Sequence, residues 1–290
     1  ALNAVTTWIH PNNGLGQTEP TYAGVHEITY TSSDVYTRTS GLGFHVMGPW
    51  YGNQDKTNLF VNYPGNSSAI YRFPLDPGMV PVSKTRTGGG SIGYFVDGIA
   101  MFDSRDAFSY STANNADARP NTAFNGDGIW NRDAYINESV TFDSANAHQA
   151  GINHHYHANP PALRHLIGGS VDYEASTNTY TENFNGQHSP IIGWVRDGYP
   201  LYGPYGYDDP DDATSTVRRM TSGYTTRDGS NGTTNLNTGR NSLPSWAAAV
   251  QGIDATLTEG QYGPAINATY PLGHYIEDYD YLGNLGFTLG

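Results

Sequence analysis

A ten-residue pattern occurs twice in this chain, one hundred positions apart: Gly93-Tyr-Phe-Val-Asp-Gly-Ile-Ala-Met-Phe102 and Gly193-Trp-Val-Arg-Asp-Gly-Tyr-Pro-Leu-Tyr202. Each copy sets an Asp-Gly pair between runs of apolar and aromatic residues. Such a pair between β-prone runs is a strong hairpin signal, because a two-residue type I′ turn needs positive φ at both central positions. The pattern predicts two similar hairpins and restricts the chain to architectures that hold both. A weaker correspondence lies upstream. Ala69-Ile-Tyr-Arg-Phe-Pro-Leu-Asp-Pro77 reads like Gly151-Ile-Asn-His-His-Tyr-His-Ala-Asn-Pro160, with Tyr71 and Phe73 in place of His155 and His157.

The fold expected from this is mainly β: a sandwich or barrel built from two similar β halves about an approximate two-fold axis, with long loops and little helix. It is read as a single domain over 1–290, with halves at about 25–110 and 139–207 and a C-terminal extension 208–290. Only the second half keeps metal-ligating residues. Alternating runs at Val25–Tyr30 and Asp34–Thr39 add strands, as do Leu59–Tyr63 and Ser139–Phe142. Helix is expected in one or two turns at Pro161–Leu166 and over Ser242–Gln251, which carries an Ala run and is closed by Gly252.

Only 14% of the residues are charged, against about 25% in an average soluble domain. Gly (35) and Tyr (22) are abundant and lysine is confined to Lys56 and Lys84, a mix that suits a loop-rich extracellular β-protein. A net charge of −13 argues against nucleic acid as a partner, since nothing here neutralises a run of phosphates. No apolar stretch is long enough for a transmembrane helix. The chain opens on Ala1 rather than Met, as signal-peptide removal would leave it, so a secreted or periplasmic location is expected. With no cysteine, a soft-metal site must rest on imidazole, helped by Met, Tyr or carboxylate.

The run Gly151–Pro160 holds three of the ten histidines. On a strand, His155 and His157 share one face with Cα atoms ~6.5–7 Å apart, so both imidazoles can converge on an ion at about 2.0–2.1 Å from each nitrogen. His154 and Tyr156 take the other face, so His154 becomes a ligand only if the segment is helical or bulged. The competing reading is a hydrogen-bonded pair of core histidines.

The segment His154-His155-Tyr156-His157 resembles the signature of the YHYH-domain family, named for a Tyr-His-Tyr-His run, with His154 replacing the first Tyr. The stretch His188–Tyr207, with its Asp-Gly and Tyr-Gly-Pro, resembles the second family block, and Pro271–Tyr281 resembles a third. The resemblance implies a secreted, metal-binding β-protein and supplies no reaction. It also makes His188, which opens the second block, the first choice for a third imidazole. His274 follows, beside Glu277 and Asp278, and then His45, with Met47 two residues on. Glu277 and Asp278 are candidates for Ca²⁺ or for orienting a ligating imidazole. His148 lies near the cluster in a loop-like context. Asp97 and Asp197 read as turn residues.

The expected function is a secreted protein with a histidine-rich site for copper or zinc. It could serve a metal-dependent oxidoreductase or hydrolase acting on a small molecule or polysaccharide. The alternative is a non-catalytic, calcium-stabilised surface or glycan-binding module. Whether the chain is an enzyme, and its oligomeric state, stay open at this level.

Overall fold

A computed structural model describes residues 7–8, 17, 19–79, 85–118 and 126–283. Strands dominate, and the longest helix among the described residues, Ser245–Gln251, has seven residues. No described helix is long and apolar enough to cross a membrane. The chain forms two compact units. The first comprises Ala1–Val80, Gly90–Asp103 and Ser139–Met220; the second comprises Pro81–Gly89, Ser104–Glu138 and Thr221–Gly290. The sheets are small, and none among the described residues closes into a barrel.

The first unit contains a three-stranded antiparallel sheet of β1 (Val25–Tyr30), β2 (Asp34–Thr39) and β3 (Ala69–Pro74). Its six-stranded sheet contains β4 (Ser91–Phe95), β5 (Ala100–Phe102), β6 (Ala147–Ala150), β7 (Asn153–Tyr156), β8 (Ile191–Val195) and β9 (Pro200–Tyr202). The spatial order is β6-β7-β5-β4-β8-β9, antiparallel throughout except for the parallel pair β5–β7.

The two Asp-Gly hairpins, β4/β5 and β8/β9, lie side by side in this sheet. Tyr94 sits opposite Trp194, flanked by Gly93 opposite Val195 and Phe95 opposite Gly193. The hydrogen bonds are reciprocal: Val96 N–H donates to Ile192 O and Arg196 N–H to Ile92 O, both at 2.9 Å. Residues one hundred apart are thus exchanged by a local two-fold relation through the Tyr94–Trp194 pair. Both hairpins also carry an irregularity at the same place, between Ser91 and Gly93 and between Ile191 and Gly193. The seam needs glycine at its two crossing points. A Cβ on Gly93 would lie 2.4 Å from Trp194 O, and one on Gly193 would lie 2.6 Å from Tyr94 O.

The upstream segments do not share this arrangement. β7 joins the six-stranded sheet through β5, whereas β3 pairs with β2 in the smaller sheet, where it lays Tyr71 on Tyr94 (5.1 Å, 6° between planes) and Phe73 on Trp194 (5.9 Å, 19°). Ser139–Thr141 is a turn of 3-10 helix rather than a strand, and Leu59 makes a single bridge to Tyr51. The helix Pro161–Leu166 forms as its sequence suggests, with Pro at its first position. Its Ala162 and Leu163 pack with Phe95, Ile99, Met101, Tyr156 and Ile192 in the core beneath the sheet. The Leu, Ile, Phe and Met side chains among these contribute about 1.5–3 kcal/mol each on burial, which fixes β7 against its neighbours.

The second unit has its own core around Trp130, Tyr110, Leu243 and Tyr275. The helix Ser245–Gln251 packs Ala247 and Ala248 there and ends at Gly252 in the left-handed conformation, φ +68°. A fully buried ion pair, Arg240 Nε to Asp278 Oδ1 at 2.7 Å, ties its loops together.

Candidate metal centre

β6 and β7 form a hairpin around Gly151-Ile152, with Gly151 at φ +62° in the first turn position. Its register sets His148 directly opposite His155. Strand alternation carries His157 to the same face as His155, and the three imidazoles converge. Each offers a ring nitrogen lying within 4.8 Å of the others, and theirs is the sole such group of three or more His, Asp or Glu side chains among the described residues. Ring centroids are 4.6 Å apart for His148–His155, 4.8 Å for His155–His157 and 5.5 Å for His148–His157. His148 and His155 are buried, and His157 is half-buried.

The hydrogen bonds fix which nitrogen of each ring is available. His155 Nδ1 lies 2.8 Å from Asn153 O and His157 Nδ1 lies 2.9 Å from Asp103 O. A carbonyl only accepts, so both rings donate from Nδ1, and in the neutral form both Nε2 atoms carry lone pairs. Those two Nε2 atoms face each other at 3.2 Å. His148 Nδ1 is 2.6 Å from Thr141 Oγ1. Two opposed lone pairs repel unless a proton or a cation lies between them. Burial, and then the neighbouring His148 and His157, hold the pKa of His155 well below the ordinary imidazole value, so His155 is a poor place to keep that proton.

Aromatic rings lock the imidazoles in place. Phe102 stacks on His155 at 3.7 Å with 10° between planes, Phe142 lies parallel to His157 at 6.0 Å, and Phe60 lies nearly parallel to His148 at 5.9 Å. On the other strand face Tyr156 is fully buried and donates its hydroxyl to Asp97 Oδ2 at 3.2 Å. Asp97 is thus more than a turn residue. Burial pushes its carboxyl up to about 6, against the hydrogen bonds from Ile99 N–H and Tyr156. Its counterpart Asp197 is exposed.

The structure brings His155 and His157 together and adds His148, not His188, as the third member. His188 donates from Nδ1 to Ser189 O (2.7 Å) and packs on Tyr207 and Tyr202 at 4.7 and 5.2 Å. His148 was detectable only through the hairpin: once the turn is centred on Gly151-Ile152, it falls opposite His155. His154 points to the far face of β7 and lies 6.4 Å from His45, ring to ring. His274, Glu277 and Asp278 belong to the second unit and have structural partners. His274 Nε2 meets Asp117 Oδ2 at 2.8 Å. Glu277, pushed up to about 8 by burial, accepts from Asn131 N–H, the Asn131 amide and the Gln251 amide. Asp278 pairs with Arg240.

Fold and site together define a β-protein that presents three convergent imidazoles from a hairpin. The chain belongs to the YHYH family: the family model described as YHYH protein matches residues 70–289, which include both Asp-Gly hairpins and all three histidines. No curated protein and no solved structure matches it.

Proposed function

We propose that His148, His155 and His157 bind one transition-metal ion, copper or zinc, through their Nε2 atoms. The observation that carries this reading is the 3.2 Å opposition of the His155 and His157 Nε2 atoms, whose Nδ1–H groups both donate to carbonyls. An all-imidazole set suits copper and zinc better than the oxygen-seeking calcium or magnesium. Carbonyl partners at Nδ1 are the outer contacts that orient ligating histidines. Three protein ligands would leave a coordination position for a water or substrate, and His157 is the partly exposed member of the three. In such a ligand set zinc would supply an activated hydroxide and copper would supply redox chemistry. A cysteine-free, lysine-poor, acidic chain suits an exported protein, and a small molecule or polysaccharide is the substrate class in keeping with that location. Elemental analysis of the purified protein tests the site: one Cu or Zn per chain, lost in the double variant His155→Ala/His157→Ala, is expected. Undiminished metal in that variant would contradict the assignment.

A further inference from the structure

The opposite face of β7 carries a second pair of imidazoles. His45 and His154 are 1% and 2% exposed, and their ring centroids lie 6.4 Å apart. Three of their four ring nitrogens, His45 Nδ1, His45 Nε2 and His154 Nε2, are buried without a hydrogen-bond partner. Leaving a buried polar atom unpaired costs about 1–3 kcal/mol, so three such atoms in one place call for a missing occupant.

The protonation of His154 follows from its neighbour. Gln149 uses its Nε2 to donate to Asn62 O, which turns its Oε1 toward His154 Nδ1 at 3.4 Å. His154 therefore carries its proton on Nδ1 and a lone pair on the unpartnered Nε2. His45 is held just as firmly. Its ring fills the space beside Gly43, where a Cβ would fall 2.7 Å from Nδ1 and Cε1. Its segment is anchored by Gly48 N–H to Asp143 Oδ2 (2.8 Å) and by Trp50 Nε1–H to Ala147 O (3.0 Å). The Trp50 ring also lies 5.7 Å from His154.

We infer that His45 and His154 form a second metal site, separate from the triad, that takes a monovalent soft ion of the copper(I) type in two-coordinate geometry. Ring centroids bridged by a collinear N–metal–N unit with bonds of ~2.0 Å would be about 6.3 Å apart, a span that the 6.4 Å between the two rings accommodates. Two neutral nitrogens satisfy a closed-shell monovalent ion, whereas zinc asks for four ligands. The pair has no carboxylate to offset a divalent charge. Two buried carboxylates of this unit are already engaged, Asp97 by the Tyr156 hydroxyl and Ile99 N–H and Asp143 by the N–H groups of Gly48, Ala145 and Ala147, and burying an uncompensated divalent charge is far costlier than a single one. The ion would satisfy His154 Nε2 and one nitrogen of His45.

The test uses the full chain with the triad removed by His148→Ala/His157→Ala, titrated anaerobically with copper(I) against a chromogenic chelator. One equivalent should remain bound, with the X-ray absorption edge of linear two-coordinate copper(I), and should be lost on adding His154→Leu. A folded triad-less chain that holds no copper(I), or holds it with three or more ligands, overturns the inference. Should that variant fail to fold, nitrogen NMR of the unmodified chain reads the same point. Silver(I), used as a redox-inert probe, should shift the ring nitrogens of His45 and His154, and shifts confined to His148, His155 and His157 overturn it.

Discussion

His155 and His157 face each other through Nε2 atoms 3.2 Å apart, while each gives its Nδ1 proton to a main-chain carbonyl, Asn153 O and Asp103 O. The arrangement leaves the two facing nitrogens of the neutral rings unprotonated and fixes how both rings are turned. Because β6 places His148 across from His155, the third imidazole comes from the same hairpin.

Removing His148 should therefore cost as much metal affinity as removing His155. His148→Ala is expected to weaken copper or zinc binding at the triad by about 100-fold or more, as loss of a direct ligand does where outer-contact losses already cost 10–100-fold. His188→Ala should leave it within about two-fold, because that ring's contacts are Ser189 O and two tyrosines. Competition titration with a metal chelator separates the two, and a stronger effect at His188 would reverse the ligand assignment.

The ring of Phe102 covers His155 at 3.7 Å without offering a ligand atom. Phe102→Leu should keep one metal per chain yet lower affinity about 10-fold through loosened ring orientation. Calorimetry with zinc reads both stoichiometry and affinity. Unchanged affinity would show that the carbonyl contacts alone hold the ring.

Asp97 gives a pH dependence whose sign is fixed by burial. Its folded pKa of about 6 stands above the unfolded value of 3.8. The native state therefore binds the proton more tightly, and this contribution to stability is full below about pH 4 and lost as pH rises through 6. Asp97→Asn should remove that loss, so the variant gains on the parent by up to about 3 kcal/mol between pH 4 and pH 7. Urea unfolding at the two pH values measures it. An equal gap at both would mean that Asp97 titrates alike in the folded and unfolded chain.

The local two-fold seam has its own test. Gly93→Ala and Gly193→Ala each drive a methyl into a carbonyl of the facing hairpin, and each should cost about 3 kcal/mol. Matching losses in thermal unfolding are expected. A tolerated alanine at either position would show that the hairpins separate easily.

Much of this was legible in the sequence, and the reasons for the gaps are physical. The Asp-Gly turns and the shared face of His155 and His157 are local consequences of turn chemistry and strand alternation, so they could be read directly. His148 depends on where the β6/β7 turn falls, and Gly151-Ile152 is a weaker turn signal than Asp-Gly. The same Asp-Gly chemistry appears at Asp97 and Asp197, yet one is buried beneath Tyr156 and the other exposed. That difference is set by what packs over each turn. The His45–His154 pair joins segments more than one hundred residues apart, and no local pattern announces such a contact. Ser139–Phe142 shows the limit of composition: despite β-prone Val140, Thr141 and Phe142, its first three residues form a 3-10 turn, and Thr141 Oγ1 meets His148.

The most direct test of the three-histidine site is anomalous diffraction at the copper and zinc edges from crystals of metal-loaded protein. The expected result is a peak about 2.0–2.1 Å from Nε2 of each of His148, His155 and His157. A loaded crystal with no peak there, or with its ion on His188 instead, would contradict it.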